Sequence, residues 1–429
     1  MKYFPINSRL FIENRSLFKT KVLANSTSIF NSNDVMPTNA DGTMPFRQNN
    51  DLFWLTGIDQ EESIFVFSPN HPNKALREVL FLKETNEHIA IWEGSKLTIE
   101  NAFQTSGIRT VFWLDQIDDK IYEIIRQTET LYLNKNMHSR SASEVQTRDD
   151  RFRLMIANKY PKKEIKEVAP IMHELRVIKS DIEIDLIQKA CDITEKGLRR
   201  ILPIIKPGIM EYEIEAELMH EFLINRSNGF AYQPIIGSGI DSCVLHYIDN
   251  NKECKDDDIL LMDFGAEYSN YASDLTRTIP VNGRFSRRQK AVYNSVLYVM
   301  KEATKMLVPG TTFKDYNKEV GRIMELELIK LGLLDKHDVQ KQNQNKPLYK
   351  RYFMHGTSHY LGLDVHDVGS LDWEMKSGMV FTCEPGIYIL EENLGVRLEN
   401  DILVTDNGPD DLMKNIPIET EEIESLMNN

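Results

Sequence analysis

Residues 259–274 read ILLMDFGAEYSNYASD: an apolar strand carrying an aspartate near its end, a turn containing Gly, Ser and Asn, and a second aspartate. Residues 380–399, VFTCEPGIYILEENLGVRLE, repeat that arrangement with Glu384 and Glu399 in place of Asp263 and Asp274. A hairpin sets Asp263 and Asp274 on neighbouring strands with both side chains on one face, because side chains alternate with a period of two. A lone aspartate usually ends a strand or caps a turn. Four acids in two matching hairpins need another explanation, since a carboxylate inside an apolar strand is costly unless it is paired or holds a metal ion.

The same helical punctuation precedes each hairpin. Ser180-Asp181-Ile182-Glu183 is a capping box, in which serine and glutamate satisfy the orphan amides of a helix start. It predicts a helix to about Ile205, running through Pro203 and stopped by Lys206-Pro207-Gly208, then a second helix from Glu211 to Asn225. Ser286 caps a third, which ends at Val308-Pro309-Gly310, and a fourth runs from Thr312 to Leu331. The two glycines, Gly208 and Gly310, stand 102 residues apart. Residues 171–429 therefore read as two similar α+β halves about a pseudo-twofold axis, each contributing two acids.

A chain of 429 residues exceeds what one core usually organises. Residues 1–170 read as a separate α/β domain. Its expected strands are 63–67, 78–82 and 88–92, with a helix over 119–128, and the lysine-rich stretch Pro161–Pro170 is the expected linker.

Histidines cluster around the acids. Of five candidates, His246, His355, His359 and His366 are the strongest, and His337 lies in a polar loop. Three of them fall within twelve positions of a glycine-containing run, although a lone histidine is usually a surface or satisfied core residue. One imidazole with four carboxylates suits a pair of divalent ions such as manganese, cobalt or zinc, about 3.5–4 Å apart when bridged. His173-Glu174 and His220-Glu221 lack the second histidine of H-E-x-x-H, Gly237-Ser238-Gly239 lacks the lysine of a phosphate loop, and no G-x-S-x-G elbow occurs.

A net charge of −14 argues against nucleic acid as a partner. Cys191, Cys243, Cys254 and Cys383 form no C-x-x-C pair, no run of 18 apolar residues occurs, and the first residues lack a signal-peptide core. A cytoplasmic location with no membrane association is expected.

The set Asp263, Asp274, His359, Glu384 and Glu399 matches, position by position, the ligands of the pita-bread metallopeptidases, which include methionine aminopeptidase, prolidase and Xaa-Pro aminopeptidase. The string HGTSHYLGLDVHDVG at 355–369 resembles the proline-directed branch, specifically aminopeptidase P, as does Gly237-Ser238-Gly239 leading to His246-Tyr247. Pro45-Phe46-Arg47-Gln48-Asn49 and Phe53-Trp54-Leu55-Thr56-Gly57 resemble the non-catalytic domain that precedes the catalytic one there.

The resemblance implies a pita-bread catalytic domain with two divalent ions, preferably manganese, that hydrolyses the bond between an N-terminal residue and a following proline through a hydroxide shared by the metals. It implies that Asp263 and Asp274 hold one metal, His359 and Glu384 the other, with Asp274 and Glu399 bridging. It further implies that Glu384 moves protons, that His246 and His366 contact substrate and transition state, that His355 and Arg397 form the proline pocket, and that the protein is a homodimer or homotetramer. Trp92 is either packed in its own domain or reaches a neighbouring subunit's site. The alternatives are a prolidase restricted to Xaa-Pro dipeptides and a pita-bread scaffold kept for binding alone.

Overall fold

The computed structural model describes residues 2–138, 140–141, 143–343 and 345–428. It divides into two compact units, residues 3–176 and 177–429.

The first unit is built on six strands, β1 (Ser26–Asn31), β2 (Ile64–Phe67), β3 (Glu78–Leu82), β4 (Thr110–Trp113), β5 (Thr130–Leu133) and β6 (Glu164–Glu167). They form one mixed sheet in the order β4-β3-β2-β1-β5-β6. The centre pairs antiparallel and the flanks parallel. Ile29, Val66, Phe81 and Leu131 pack with Ile124 of the helix Ile117–Ile125 to make its core. Two expectations change. Residues 164–167 of the supposed linker pair with β5 as an edge strand, and the helix Ala169–Arg176 follows within the same unit. Residues 88–92 lie in a helix, Glu87–Glu93, whose cap is Asn86, its side chain accepting from the Ile89 amide at 2.9 Å. Five apolar-leaning residues are too few for periodicity to choose between helix and strand.

The second unit opens on the capping box: the amide and hydroxyl of Ser180 donate to Glu183 Oε2 at 2.9 and 2.8 Å. The helix it starts, Asp181–Ile201, ends before Pro203 instead of running through it, as expected of a residue that lacks the N–H to continue the ladder. The partner helix is Glu211–Ile224; in the second half the helices are Arg287–Thr304, capped by Ser286, and Phe313–Lys330, capped by Thr312.

The strands show how the duplication is built. In the first half β7 (Ile235–Ser238), β8 (Ile259–Phe264) and β11 (Leu275–Pro280) form a sheet, and the small hairpin β9 (Glu267–Tyr268) and β10 (Tyr271–Ala272) interrupts the path from β8 to β11. In the second half β12 (Val380–Cys383), β15 (Asn400–Thr405) and β16 (Gly408–Asp411) form the sheet, interrupted by β13 (Gly386–Ile389) and β14 (Leu394–Arg397). Ser269 and Asn270 turn the first hairpin with φ of 55° and 67°, the paired positive values that suit the twist of the flanking strands. Each half also holds one glycine against neighbouring backbone. A Cβ on Gly265 would lie 1.7 Å from Ser273 O, and one on Gly395 would lie 2.0 Å from Ser242 O.

Candidate active site

Asp274 directly precedes β11 and Glu399 directly precedes β15, so these two acids are structural counterparts. Asp263 lies opposite Thr276 in the β8–β11 ladder, two residues beyond Asp274. The residue opposite Asp401, two beyond Glu399, is Thr382 rather than Glu384. The fourth acid therefore lies two residues past the position that matches Asp263, just beyond the end of β12. The sequence repeat hid this displacement.

The partners of the acids differ. Tyr232 donates its hydroxyl to Asp263 Oδ1 at 2.5 Å and also lies against Asp274 Oδ1. Arg397 is buried, and its Nη2 donates to Asp263 Oδ2 at 2.6 Å, its Nη1 to the Tyr388 hydroxyl at 2.9 Å and its Nε to Thr276 Oγ1 at 3.1 Å. Thr276 in turn donates its own hydroxyl hydrogen bond to Glu399 Oε2 at 2.7 Å. Arg397 and Thr276 thus tie an acid of the first half to an acid of the second. Glu384 is fixed through its amide, which donates to Thr357 O at 2.8 Å.

His359 brings the imidazole. Its Nδ1 lies 3.0 Å from Tyr360 O and donates to it, which turns Nε2 toward the acids. Nε2 stands 3.4 Å from Asp274 Oδ2 and 3.7 Å from Glu384 Oε1. Ligand atoms of Asp274, His359 and Glu399 all lie within 4.8 Å of one another. Burial pushes Asp274 and Glu399 well above the usual carboxylate range, and repulsion from the neighbouring carboxylates adds to it. Burial likewise pushes Glu384 up to about 7. Crowded, desolvated acids around one imidazole nitrogen fit a divalent cation, whose charge would relieve their burial cost and their mutual repulsion.

The other predicted residues divide. His355 joins the site: its Nδ1 contacts Gly356 O at 2.7 Å, leaving Nε2 to accept from Tyr388 at 2.8 Å, and it lies 3.7 Å from Glu384 Oε2. Burial, with Arg397 second, lowers its pKa to about 3, so it is neutral. The His366 ring meets the His359 ring edge-on at 4.3 Å. His246 sits on an exposed turn, close enough for its charge to act on His355. Trp92 belongs to the first unit and is 78% exposed, so it is not packed in that unit's core. Tyr232, Thr276 and Tyr388 were not foreseen: a lone hydroxyl residue in a strand or loop leaves no pattern, and only the fold brings it to an acid.

Comparison with known proteins agrees with this geometry. Residues 185–406 match metallopeptidase family M24, and residues 11–132 match the aminopeptidase P N-terminal domain. The chain is 34% identical to the Xaa-Pro aminopeptidase of Haemophilus influenzae over 97% of each chain. It is 34% identical to that of Escherichia coli over 90% of each. Among solved structures, E. coli aminopeptidase P superposes with a TM-score of 0.89 at 31% identity over 99% of both chains. The aminopeptidase from Pseudomonas aeruginosa gives 0.89 at 30%, covering 100% of this chain and 99% of that one. A zinc-substituted E. coli enzyme in complex with product gives 0.87 at 31% identity over 99% of both. The chain belongs to metallopeptidase family M24, with the two-domain build of aminopeptidase P, and is a metal-dependent peptidase.

Proposed function

We propose that this peptidase binds two divalent ions and releases the N-terminal residue from peptides whose second residue is proline. The observation that carries the reading is the convergence of Asp274, Glu384 and Glu399 on one imidazole whose Nδ1–H is held on the far side of the ring, with Asp263 joined to Asp274 through Tyr232. Asp263 and Asp274 would hold one ion, His359 and Glu384 the other, with Asp274 and Glu399 shared. Manganese suits this oxygen-rich set, with zinc or cobalt as alternatives. Bound there, the ions supply Lewis acidity, acidifying water and polarising the scissile carbonyl.

The chain's own groups do the rest. Glu384 accepts the proton of the attacking water and returns it to the leaving nitrogen. His246 and His366 contact the substrate around the reacting carbonyl. His355 and Arg397, joined through Tyr388, border the proline. A bond to proline offers no N–H and a fixed φ, so a pocket shaped for the ring gains what an amide-gripping site loses. The exposure of Trp92 supports its reaching a neighbouring subunit's site in a homodimer or homotetramer. No helix among the described residues is long and apolar enough to cross a membrane, and all four cysteines are free thiols, which suits a reducing, cytoplasmic setting.

The deciding experiment compares Gly-Pro with Gly-Pro-Ala as substrates of the manganese-loaded protein. Release of glycine from the tripeptide is expected; strict refusal of it would make the enzyme a prolidase.

A further inference from the structure

We infer that Glu211, acting through Tyr247, is a positioning residue for His246, an inference that rests on the substrate-contacting role proposed for that histidine. Glu211 opens the helix Glu211–Ile224 and is 0% exposed. Its carboxylate meets four donors. Oε1 accepts from the amide and hydroxyl of Ser238 at 2.9 and 2.8 Å, and Oε2 from the Tyr247 hydroxyl at 2.8 Å and the Lys252 amide at 3.0 Å. A buried carboxylate so fully bonded is a fixed point.

The four donors come from one segment, residues 238–252, and the same segment carries His246. Ser238 and Lys252 hold its two ends, and the Glu211 amide donates back to Lys252 O at 3.0 Å. Buried Ser242 and Asn250 are also bonded, to the Gly395 amide and to Ile236 and Pro234, but the stretch 244–249 between them is largely solvated: His246 is exposed, and so are Val244 at 47% and Ile248 at 45%. Tyr247, at 7%, is the buried residue of that stretch, and its ring packs with Ile235, Leu261 and Tyr388. Tyr388 in turn contacts His355 and Arg397 through its hydroxyl. The residue next to His246 is therefore anchored at its hydroxyl by Glu211 and along its ring by the aromatic that holds His355 and Arg397. Holding an otherwise solvated turn in register matters because displacements near 1 Å at a reacting centre cost on the order of a hundredfold in rate.

The alternative is that Glu211 only satisfies a buried helix start, and a double-mutant cycle separates the two. Steady-state kinetics of the manganese-loaded enzyme on Gly-Pro-Ala would be measured for wild type, Tyr247→Phe, His246→Ala and the double variant, with metal content and melting temperature alongside. His246→Ala should lower kcat by on the order of a hundredfold. Tyr247→Phe should lower kcat by roughly tenfold with KM and metal content unchanged, and should cost nothing more once His246 is gone. If Tyr247→Phe costs the same factor in both backgrounds, or nothing in either while His246→Ala is impaired, the positioning role is wrong and the role of His246 stands. If His246→Ala keeps wild-type kcat, both fall together.

Discussion

Asp51 and Arg15 of the N-terminal unit and the four clustered acids of the catalytic unit treat buried charge in opposite ways. In the N-terminal unit Asp51 is almost fully buried, but Arg176 Nη1 donates to it at 2.8 Å and Asn134 Nδ2 at 2.9 Å. Arg15, 2% exposed, donates to Glu78 and to the carbonyls of Phe11 and Leu55. Those charges are answered from within the unit. In the catalytic unit Asp263, Asp274, Glu384 and Glu399 share one guanidinium, that of Arg397, and burial leaves three of them with raised proton affinity. The first arrangement is complete as a polypeptide. The second would be completed by added positive charge, as the ions proposed to bind there would supply, and in that a structural ion pair and a metal site differ in their physics.

That contrast can be broken most strongly on the N-terminal side. Arg176→Ala leaves Asp51 buried without its cation and should destabilise the unit by about 3 kcal/mol, read as a lower urea midpoint whether or not metal is present. A midpoint unmoved by the change would mean that the pair is not what answers the Asp51 charge.

The opposite sign is expected in the catalytic unit. Glu399→Gln keeps an oxygen for the Thr276 hydroxyl while removing one negative charge, so the metal-free protein should gain about 1 kcal/mol. The same variant should lose the stabilisation that manganese confers on wild type. Differential scanning calorimetry with and without manganese reads both, and a metal-free variant less stable than wild type would show that the acids do not repel.

Asp149 sharpens the comparison at a smaller scale. It is partly buried in the N-terminal unit, accepts from the side-chain Nδ2 of Asn31 at 2.8 Å, and burial raises its pKa to about 6. A carboxyl raised in the folded state favours folding below its unfolded pKa, near 3.9, and that contribution is lost as pH rises through about 6. Asp149→Asn should therefore stabilise the protein by about 1 kcal/mol at pH 8 and make no difference at pH 4, the value being reduced for partial exposure. Equal midpoints at both values would remove Asp149 from the account.

Much of this was legible before the fold. Acids inside apolar strands announce themselves because nothing else explains their cost, and Ser180 with Glu183 names a helix start. The two-residue displacement of Glu384 was not legible, since it is visible only in the register of β12 against β15. Arg397 read as a pocket residue by resemblance, but its contact with Asp263 comes from a strand 134 positions away in sequence. Residues 88–92 were misread because a run that short fits both periods, and the cap at Asn86 was the signal that could have decided it.

The central claim is that the four acids and His359 hold the ions that make this chain a peptidase. It is tested most directly by adding manganese to the metal-free protein while following release of glycine from Gly-Pro-Ala, with Asp274→Ala in parallel. The account predicts activity that rises until two ions are bound per chain. It also predicts a variant slower by more than about a thousandfold, beyond the 10–100-fold that outer partners of a metal site cost. Full activity without divalent metal, or wild-type turnover by Asp274→Ala, would contradict it.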